Sequence, residues 1–345
     1  MIFSRLCRRR LPCSTSFLAL ILATLFPLPL AAQNGPPTIT AELLKAVVGV
    51  RATIPLDGPA ARSWGPVREG TGVVIDSSGL VLTVRHIVRR GTSAEIVLPD
   101  GEVVPARILA FDFHTGFGLL RAAKPLDVPP MRLGDSSDVR ETAKVLAVSH
   151  QTGKPSITPT HVISRQDYAA ANEYIVERSL LTFPAHDGFS GAALVAENGR
   201  LIGIGALSVS ASIARQVVPT TLWLPIDGLK PVLADLIEHG KPQGPQRPWL
   251  GVRVQDSDGH LAVLGVTKGS PGETAGLTAG DVILGVKGKR VATAADYYRK
   301  TWDVGPAGSI IPLDVLRFGR ETVGIDRLGV KSIGYDDQFG PGSSY

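Results

Sequence analysis

The chain has 345 residues, of which 44% are apolar and 19% are charged, and its formal net charge is +5. This composition is typical of a globular protein, and the length predicts two domains. Four arginines in the first 32 residues supply most of the net positive charge. A chain cleaved after residue 32 would carry 5 − 4 = +1. This small charge gives no reason to expect a nucleic-acid partner.

The N-terminus has the pattern of a signal peptide. A basic start is followed by an apolar stretch from Ser16 to Leu30 and by the small residues Ala31 and Ala32. We therefore interpret 1–32 as a signal peptide and 33–44 as an N-terminal segment. This predicts a periplasmic or secreted protein with no stable membrane span after processing, the alternative being a single membrane anchor. Both cysteines of the chain fall within the predicted signal, so the processed chain has no disulfide.

Short strands separated by turn signals dominate the region from residue 45 to 225. Thr71–Ile75 and Leu80–Thr83 are predicted to form a hairpin, and a second hairpin follows around Asp100 and Gly101. This spacing favours antiparallel barrels over alternating strands and helices. The apolar period of Asp227–His239 predicts a helix that ends at Gly240.

The composition changes after this helix. Glycine and proline mark 241–248 as a linker. A smaller domain is predicted over 249–332, and 333–345 is predicted to be a disordered tail. The domain that precedes the linker then covers 45–240.

Two residues far apart in the sequence carry the chemistry. His86 lies in Leu-Thr-Val-Arg-His-Ile-Val, and Ser190 lies in Gly-Phe-Ser-Gly. A serine hydroxyl becomes a nucleophile when a neighbouring base takes its proton, and histidine is the usual base. The backbone N–H groups of Gly188 and Ser190 are candidates for an oxyanion hole. A glycine-rich turn without a function is the alternative reading of the Ser190 segment.

These segments and their flanks resemble the HtrA (Deg) family of periplasmic serine proteases. The match is ordered: Gly70–Asp76 resembles the strand before the family's histidine, and the residues around Ser190 resemble its serine motif. The resemblance implies a mainly β fold in which a two-barrel chymotrypsin/trypsin-like domain is followed by a PDZ domain. It also implies endoproteolysis of unfolded or mislocalised envelope proteins by a homotrimeric or higher assembly.

One member of the family's triad is missing. The family pattern Thr-Asp-Leu-Ala-Leu-Leu is Thr-Gly-Phe-Gly-Leu-Leu here, and Gly116 stands at the aspartate position. In a related triad the loss of this carboxylate lowers the rate by about 10⁴. Asp112 and His114 lie close in sequence and could replace it, although Asp112 resembles the family's ordinary turn aspartate.

The C-terminal domain resembles a PDZ domain. Trp249–Val254 resembles its opening, Gly269–Lys289 carries its signature, and Ala294–Trp302 is predicted to be the groove helix. The resemblance implies that a peptide carboxyl terminus binds the N–H groups of Leu250, Gly251 and Val252 beside an edge strand. The alternative is a PDZ fold that only packs against the first domain.

The sequence thus leaves two hypotheses open. The first is an exported serine endopeptidase with weak activity from Ser190 and His86. The second is a pseudoprotease that captures peptides or acts as a chaperone. The expected partners are unfolded proteins or peptide C-termini. We expect no cofactor and no metal, because the histidines lack metal-ligand spacing.

Overall fold

The computed structural model describes residues 40–55, 65–151, 154–170, 173–257, 259–318 and 323–335. The predicted signal peptide, most of the N-terminal segment and residues 336–345 lie outside the described residues. Within them, no helix has the length and apolar character needed to cross a membrane.

The first barrel is closed by six antiparallel strands in the order β1-β2-β3-β6-β5-β4. It confirms the predicted barrel and the hairpin across residues 76–79, because Val73 pairs with Leu82 and Val74 with Val81. A short helix, α1 (Ala41–Lys45), precedes it. The strands are β1 (Val47–Thr53), β2 (Val67–Val74), β3 (Leu80–Val84), β4 (Ser93–Val97), β5 (Val103–Phe111) and β6 (Phe117–Ala122). Helix α2 (Arg85–Val88) follows β3 directly.

The second barrel is also closed, in the order β11-β14-β13-β12-β7-β8. Its core includes the fully buried Trp223, whose Nε1 donates to Thr182 Oγ1 at 2.9 Å. The strands are β7 (Lys144–Gln151), β8 (Lys154–Ser164), β11 (Leu180–Phe183), β12 (Ala193–Val195), β13 (Leu201–Ile213) and β14 (Gln216–Pro225). Between β8 and β11 the chain forms a two-stranded excursion, β9 (Tyr168–Ala170) and β10 (Tyr174–Val176).

The helix predicted over Asp227–His239 is shorter in the structure. Residues Ile226–Gly228 form a 3₁₀ turn, and α3 spans Leu233–His239. Pro231 explains the difference, because proline disfavours helical conformation in the residue before it and cannot donate to a preceding turn. Gly240 ends the helix with φ of 73°, as predicted.

The residues that follow the second barrel and α3 form a third structural unit, which has the PDZ arrangement of a small sheet with two helices. Strand β16 lies at the edge of the sheet, and α5 packs beside it. The predicted groove helix is confirmed over its full length. The elements are β15 (Pro248–Trp249), β16 (Val252–Ser257), β17 (His260–Val266), α4 (Pro271–Thr274), β18 (Val282–Val286), β19 (Lys289–Arg290), α5 (Ala294–Trp302), β20 (Ile310–Phe318), β21 (Val323–Lys331) and β22 (Ile333–Gly334).

Two predicted boundaries differ from the structure. Strand β22 begins the segment predicted as a disordered tail (333–345), and it pairs with β15, whose Pro248 falls in the predicted linker 241–248. Tyr335 is buried and stacks on Phe113, with ring centroids 4.0 Å apart. Aromatic packing on the first barrel therefore holds Tyr335 in place, a contact that local composition does not reveal.

Candidate active site

His86 is held by the junction of β3 and α2. Strand β3 pairs with β6, and the chain turns into α2 immediately after Val84. The backbone N–H of Arg85 donates to the Gly116 carbonyl at 2.8 Å, which ties this junction to the loop before β6. The imidazole of His86 consequently projects from the first barrel toward the second.

Ser190 lies in the tight turn that precedes β12. Its carbonyl accepts from the N–H of Thr71 at 2.9 Å, so a strand of the first barrel braces the turn. Gly191 has φ of 77°, and a Cβ there would lie 2.0 Å from the Thr71 carbonyl oxygen. Only glycine fits this close approach, which explains the Ser-Gly sequence of the motif.

The two predicted chemical residues meet across the interface of the barrels. His86 Nε2 lies 2.6 Å from Ser190 Oγ, although 104 positions separate them in the chain. This is the distance of a hydrogen bond through which an unprotonated Nε2 can accept the hydroxyl proton. The N–H groups of Gly188 and Ser190 donate to no backbone carbonyl of the described residues, so both are free to bind another acceptor.

Gly116 has no space for a carboxylate. Its φ is 84°, and a Cβ there would lie 2.3 Å from the hydroxyl of Tyr174 and 3.0 Å from Leu224 Cδ1. The Tyr174 hydroxyl donates to the Thr115 carbonyl at 3.1 Å, and the ring is buried. A tyrosine from β10 thus fills the volume beside Gly116, the residue predicted to stand at the aspartate position.

Asp112 does not orient the His86 ring. Its Oδ1 accepts from the N–H of His114 at 3.0 Å, and its Oδ2 accepts from the N–H and hydroxyl of Thr115 at 3.0 and 2.6 Å. The carboxylate therefore stabilises its own turn, which agrees with the interpretation of Asp112 as a turn residue. Within the described chain, neither Asp112 nor His114 forms a hydrogen bond with His86.

The surroundings of His86 disfavour its charged form. Burial among protein atoms in the cleft, together with the positive charges of Arg85, Arg68 and Arg89, lowers the pKa of His86 to about 4. Part of the ring still faces the open cleft. Arg68 also donates to the His86 carbonyl, and the Arg85 guanidinium lies 4.3 Å from the centre of the Tyr174 ring. The base is therefore neutral at pH 7, but its imidazolium is poorly stabilised.

A cleft of about 710 Å³ opens onto Ser190 and His86. Its apolar wall includes Phe189, Leu207 and Leu224, and its polar rim includes Arg68. The volume is that of a small-molecule or side-chain pocket.

The predicted PDZ residues form a loop whose amide groups are already used. The N–H groups of Leu250 and Val252 donate to the Glu173 carboxylate, at 2.8 and 2.7 Å. The backbone of Gly251 also acts on this carboxylate as a hydrogen-bond donor. Glu173 precedes β10, outside the PDZ unit.

Several residues near the site escaped the sequence interpretation. Tyr174 and Glu173 gave no local signal, because their contacts lie 59 and 77 positions away. Arg85 directly precedes His86 and Arg89 follows it by three positions, so the sequence does carry a signal that positive charges act on this histidine.

Comparison with known proteins agrees with both domains. Residues 70–204 match the trypsin-like peptidase domain model, and residues 248–324 match the PDZ domain model. The chain is 27% identical over 281 residues to the serine protease Do-like HtrA of Bacillus subtilis, covering 73% of this chain and 61% of that protein. It is 26% identical over 266 residues to the periplasmic serine endoprotease DegP of Escherichia coli K12, covering 73% of this chain and 55% of that protein.

Solved structures support the same fold. The HtrA-type protease AlgW with a tripeptide superimposes with a TM-score of 0.53 at 24% identity, covering 85% of this chain and 94% of that one. A serine endoprotease from Yersinia pestis gives 0.52 at 21% identity, with 86% and 96% covered. The chain spans about six-tenths of the length of the curated relatives that it matches. The protein thus joins a trypsin-like peptidase domain to a PDZ domain and is homologous to the HtrA and DegP serine proteases.

Proposed function

We propose that this protein is a slow serine endopeptidase of exported proteins that works with a Ser190–His86 dyad. The observation that carries the proposal is the 2.6 Å contact between Ser190 Oγ and His86 Nε2 inside the cleft. One relative named as a serine protease and another named as a periplasmic serine endoprotease support the reaction class and the compartment.

The reaction follows from the placement of these groups. Ser190 Oγ attacks the carbonyl carbon of a peptide bond while its proton passes to His86 Nε2. The N–H groups of Gly188 and Ser190 bind the oxygen that becomes negative in the tetrahedral intermediate. His86 then gives its proton to the leaving amine, and a water molecule that it deprotonates hydrolyses the acyl-enzyme.

The environment of His86 limits the rate. The first step creates an imidazolium, and a carboxylate normally stabilises that charge and orients the ring. Here the position holds Gly116, and Arg85, Arg68 and Arg89 oppose the new charge. We therefore expect a turnover roughly 10⁴-fold below that of an intact triad, with a residual acceleration of about 10³ over water.

The cleft favours an extended, apolar segment of substrate. Phe189, Leu207 and Leu224 present an apolar wall next to the nucleophile. A peptide carbonyl can reach Ser190 Oγ only if its chain is locally unfolded, which supports unfolded or mislocalised exported proteins as the substrate class.

A pseudoprotease is the second candidate function. The observation that favours it is the filled space beside Gly116, together with the arginines around His86. Such a protein binds chain segments in the cleft or at the PDZ domain without cleaving them.

The cleavage of unfolded casein by wild type and by Ser190→Ala separates the two candidates. The peptidase proposal predicts slow cleavage by wild type and none by the variant. Equal rates for the two proteins, including no cleavage by either, would favour the pseudoprotease.

A further inference from the structure

The amide donors of the PDZ loop already hold a carboxylate from the same chain. Glu173 Oε2 accepts from the N–H of Leu250, and Oε1 accepts from the N–H of Val252. A carboxylate on consecutive backbone N–H groups is the arrangement by which such a loop captures the end of a peptide. Glu173 is only 7% exposed, so this side chain excludes water from the loop.

The backbone of Glu173 is held in an unusual conformation. Its φ is 60°, in the left-handed region that residues with a side chain rarely adopt. Such strain persists where the surrounding contacts outweigh it, and it often marks a functional position. The contacts that hold Glu173 include those of its carboxylate to the PDZ loop and one of its backbone to Tyr298 on α5.

The residues around Glu173 extend this contact along the groove. Ile175 is buried in the apolar cluster of the PDZ unit, which also contains Leu250 and Val252. The Tyr298 hydroxyl on α5 donates to the Ala170 carbonyl at 2.9 Å. Arg299, also on α5, forms an ion pair with Asp167 just before β9.

The hairpin of β9 and β10 therefore packs on α5, the helix that borders the predicted peptide groove. Strand β16 is an edge strand of the described PDZ sheet, and α5 packs against β16, β9 and β10. The side-chain carboxylate of Glu173 stands in for a terminal carboxylate, and Ile175 supplies an apolar side chain.

We propose that Glu173–Ile175 is an internal ligand of the PDZ domain, and that an external peptide with a free carboxyl terminus binds only by displacing it. A tethered ligand competes at the high effective concentration set by its short connection. The apparent affinity for an outside peptide is the affinity of the vacant PDZ loop multiplied by the fraction of molecules in which Glu173 has left that loop. The inference rests on the PDZ groove and not on the peptidase proposal.

The test uses Glu173→Gln, with Glu177→Gln as the matched control. The glutamine has the same shape but only one acceptor oxygen, so its NH₂ group faces one of the loop donors. Glu177 is exposed and lies four positions away on the same excursion. Both changes are made in the full chain carrying Ser190→Ala, so that cleavage cannot alter the probe.

Two pools of fluorescein-labelled decapeptides with randomised last four residues serve as probes, one with free carboxyl ends and one amidated. We expect Glu173→Gln to bind the carboxylate pool at a concentration about tenfold lower than the parent chain and Glu177→Gln. None of the three chains should bind the amidated pool. Equal binding of the carboxylate pool by all three chains, including equal absence of binding, would overturn the proposal.

The internal contact itself is read from the amide resonances of Leu250 and Val252. They should shift in Glu173→Gln and stay unchanged in Glu177→Gln. Unchanged resonances in a folded Glu173→Gln chain contradict the internal ligand. Glu173→Gly, which removes the carboxylate and relieves the positive φ, provides a second variant if the first one unfolds.

Discussion

Placing an aspartate at residue 116, the position predicted for the orienting carboxylate, should not by itself create a triad. Gly116→Asp places a Cβ 2.3 Å from the Tyr174 hydroxyl, at a φ of 84°. The backbone conformation costs about 1–3 kcal/mol for a residue with a side chain. The Tyr174 hydroxyl must also move, although it donates a hydrogen bond to the Thr115 carbonyl. We expect the single variant to gain less than about threefold in Ser190 reactivity, against the roughly 10⁴ that a well-placed aspartate supplies.

Removing the obstructing oxygen should change this result. With Tyr174→Phe the nearest remaining contacts of a Cβ at residue 116 are 3.0 and 3.2 Å, both to methyl groups of Leu224. The double variant Gly116→Asp/Tyr174→Phe should therefore gain about 10², less than a full triad because the arginines around His86 remain.

The assay is the rate of covalent labelling by a fluorophosphonate, which reacts with activated serines. Tyr174→Phe alone is the control and should label within about threefold of wild type, because it changes no group that touches Ser190. A hundredfold gain from Gly116→Asp alone would refute the argument that Tyr174 blocks the position. A folded double variant that labels like wild type would refute the argument that the missing carboxylate limits the nucleophile.

Three further predictions concern protonation and the C-terminal contact. Because the pKa of His86 is lowered to about 4, its neutral form acts as base above that pH; labelling should be constant from pH 5.5 to 8 and fall below about 4, and a midpoint near 6.5 would contradict this. Burial raises the pKa of Glu173 to about 7, above its unfolded value, while the N–H groups of the loop favour its charged form; the contribution of Glu173 to the free energy of unfolding should therefore be fully present below pH 4.5 and be lost as the pH rises through 7. The buried groups facing it are tyrosine hydroxyls, whose pKa values are raised, so amide shifts of the loop should titrate near 7 in wild type and not in Glu173→Gln. A chain ending at residue 332 should lose about 2–4 kcal/mol of unfolding free energy relative to one ending at residue 335, because Tyr335 packs on Phe113; equal urea midpoints would show that this stack contributes nothing.

Local sequence patterns were sufficient for the architecture. Strand alternation and turn residues predict the barrels, and the helix Ala294–Trp302 follows from its own sequence. The pairing of His86 with Ser190 came from recognisable motifs. In each case the information lies within a few neighbouring residues.

The features that change the functional account are long-range contacts. Tyr174 fills the space beside Gly116, and Glu173 closes the PDZ loop, yet both belong to an excursion with no motif of its own. The position of Tyr335 depends in the same way on a distant contact, its stacking on the Phe113 ring of the first barrel. Contacts between side chains distant in sequence depend on the packed structure, and no period or spacing in one sequence encodes them visibly.

The most direct test of the dyad compares fluorophosphonate labelling of wild type, His86→Ala and Ser190→Ala at pH 7.5, with the labelled peptide identified by mass spectrometry. The account predicts slow labelling of wild type at Ser190, labelling at least about tenfold slower in His86→Ala, and none in Ser190→Ala. Equal labelling of wild type and His86→Ala would contradict it, because Ser190 would then react without the base that lies 2.6 Å away.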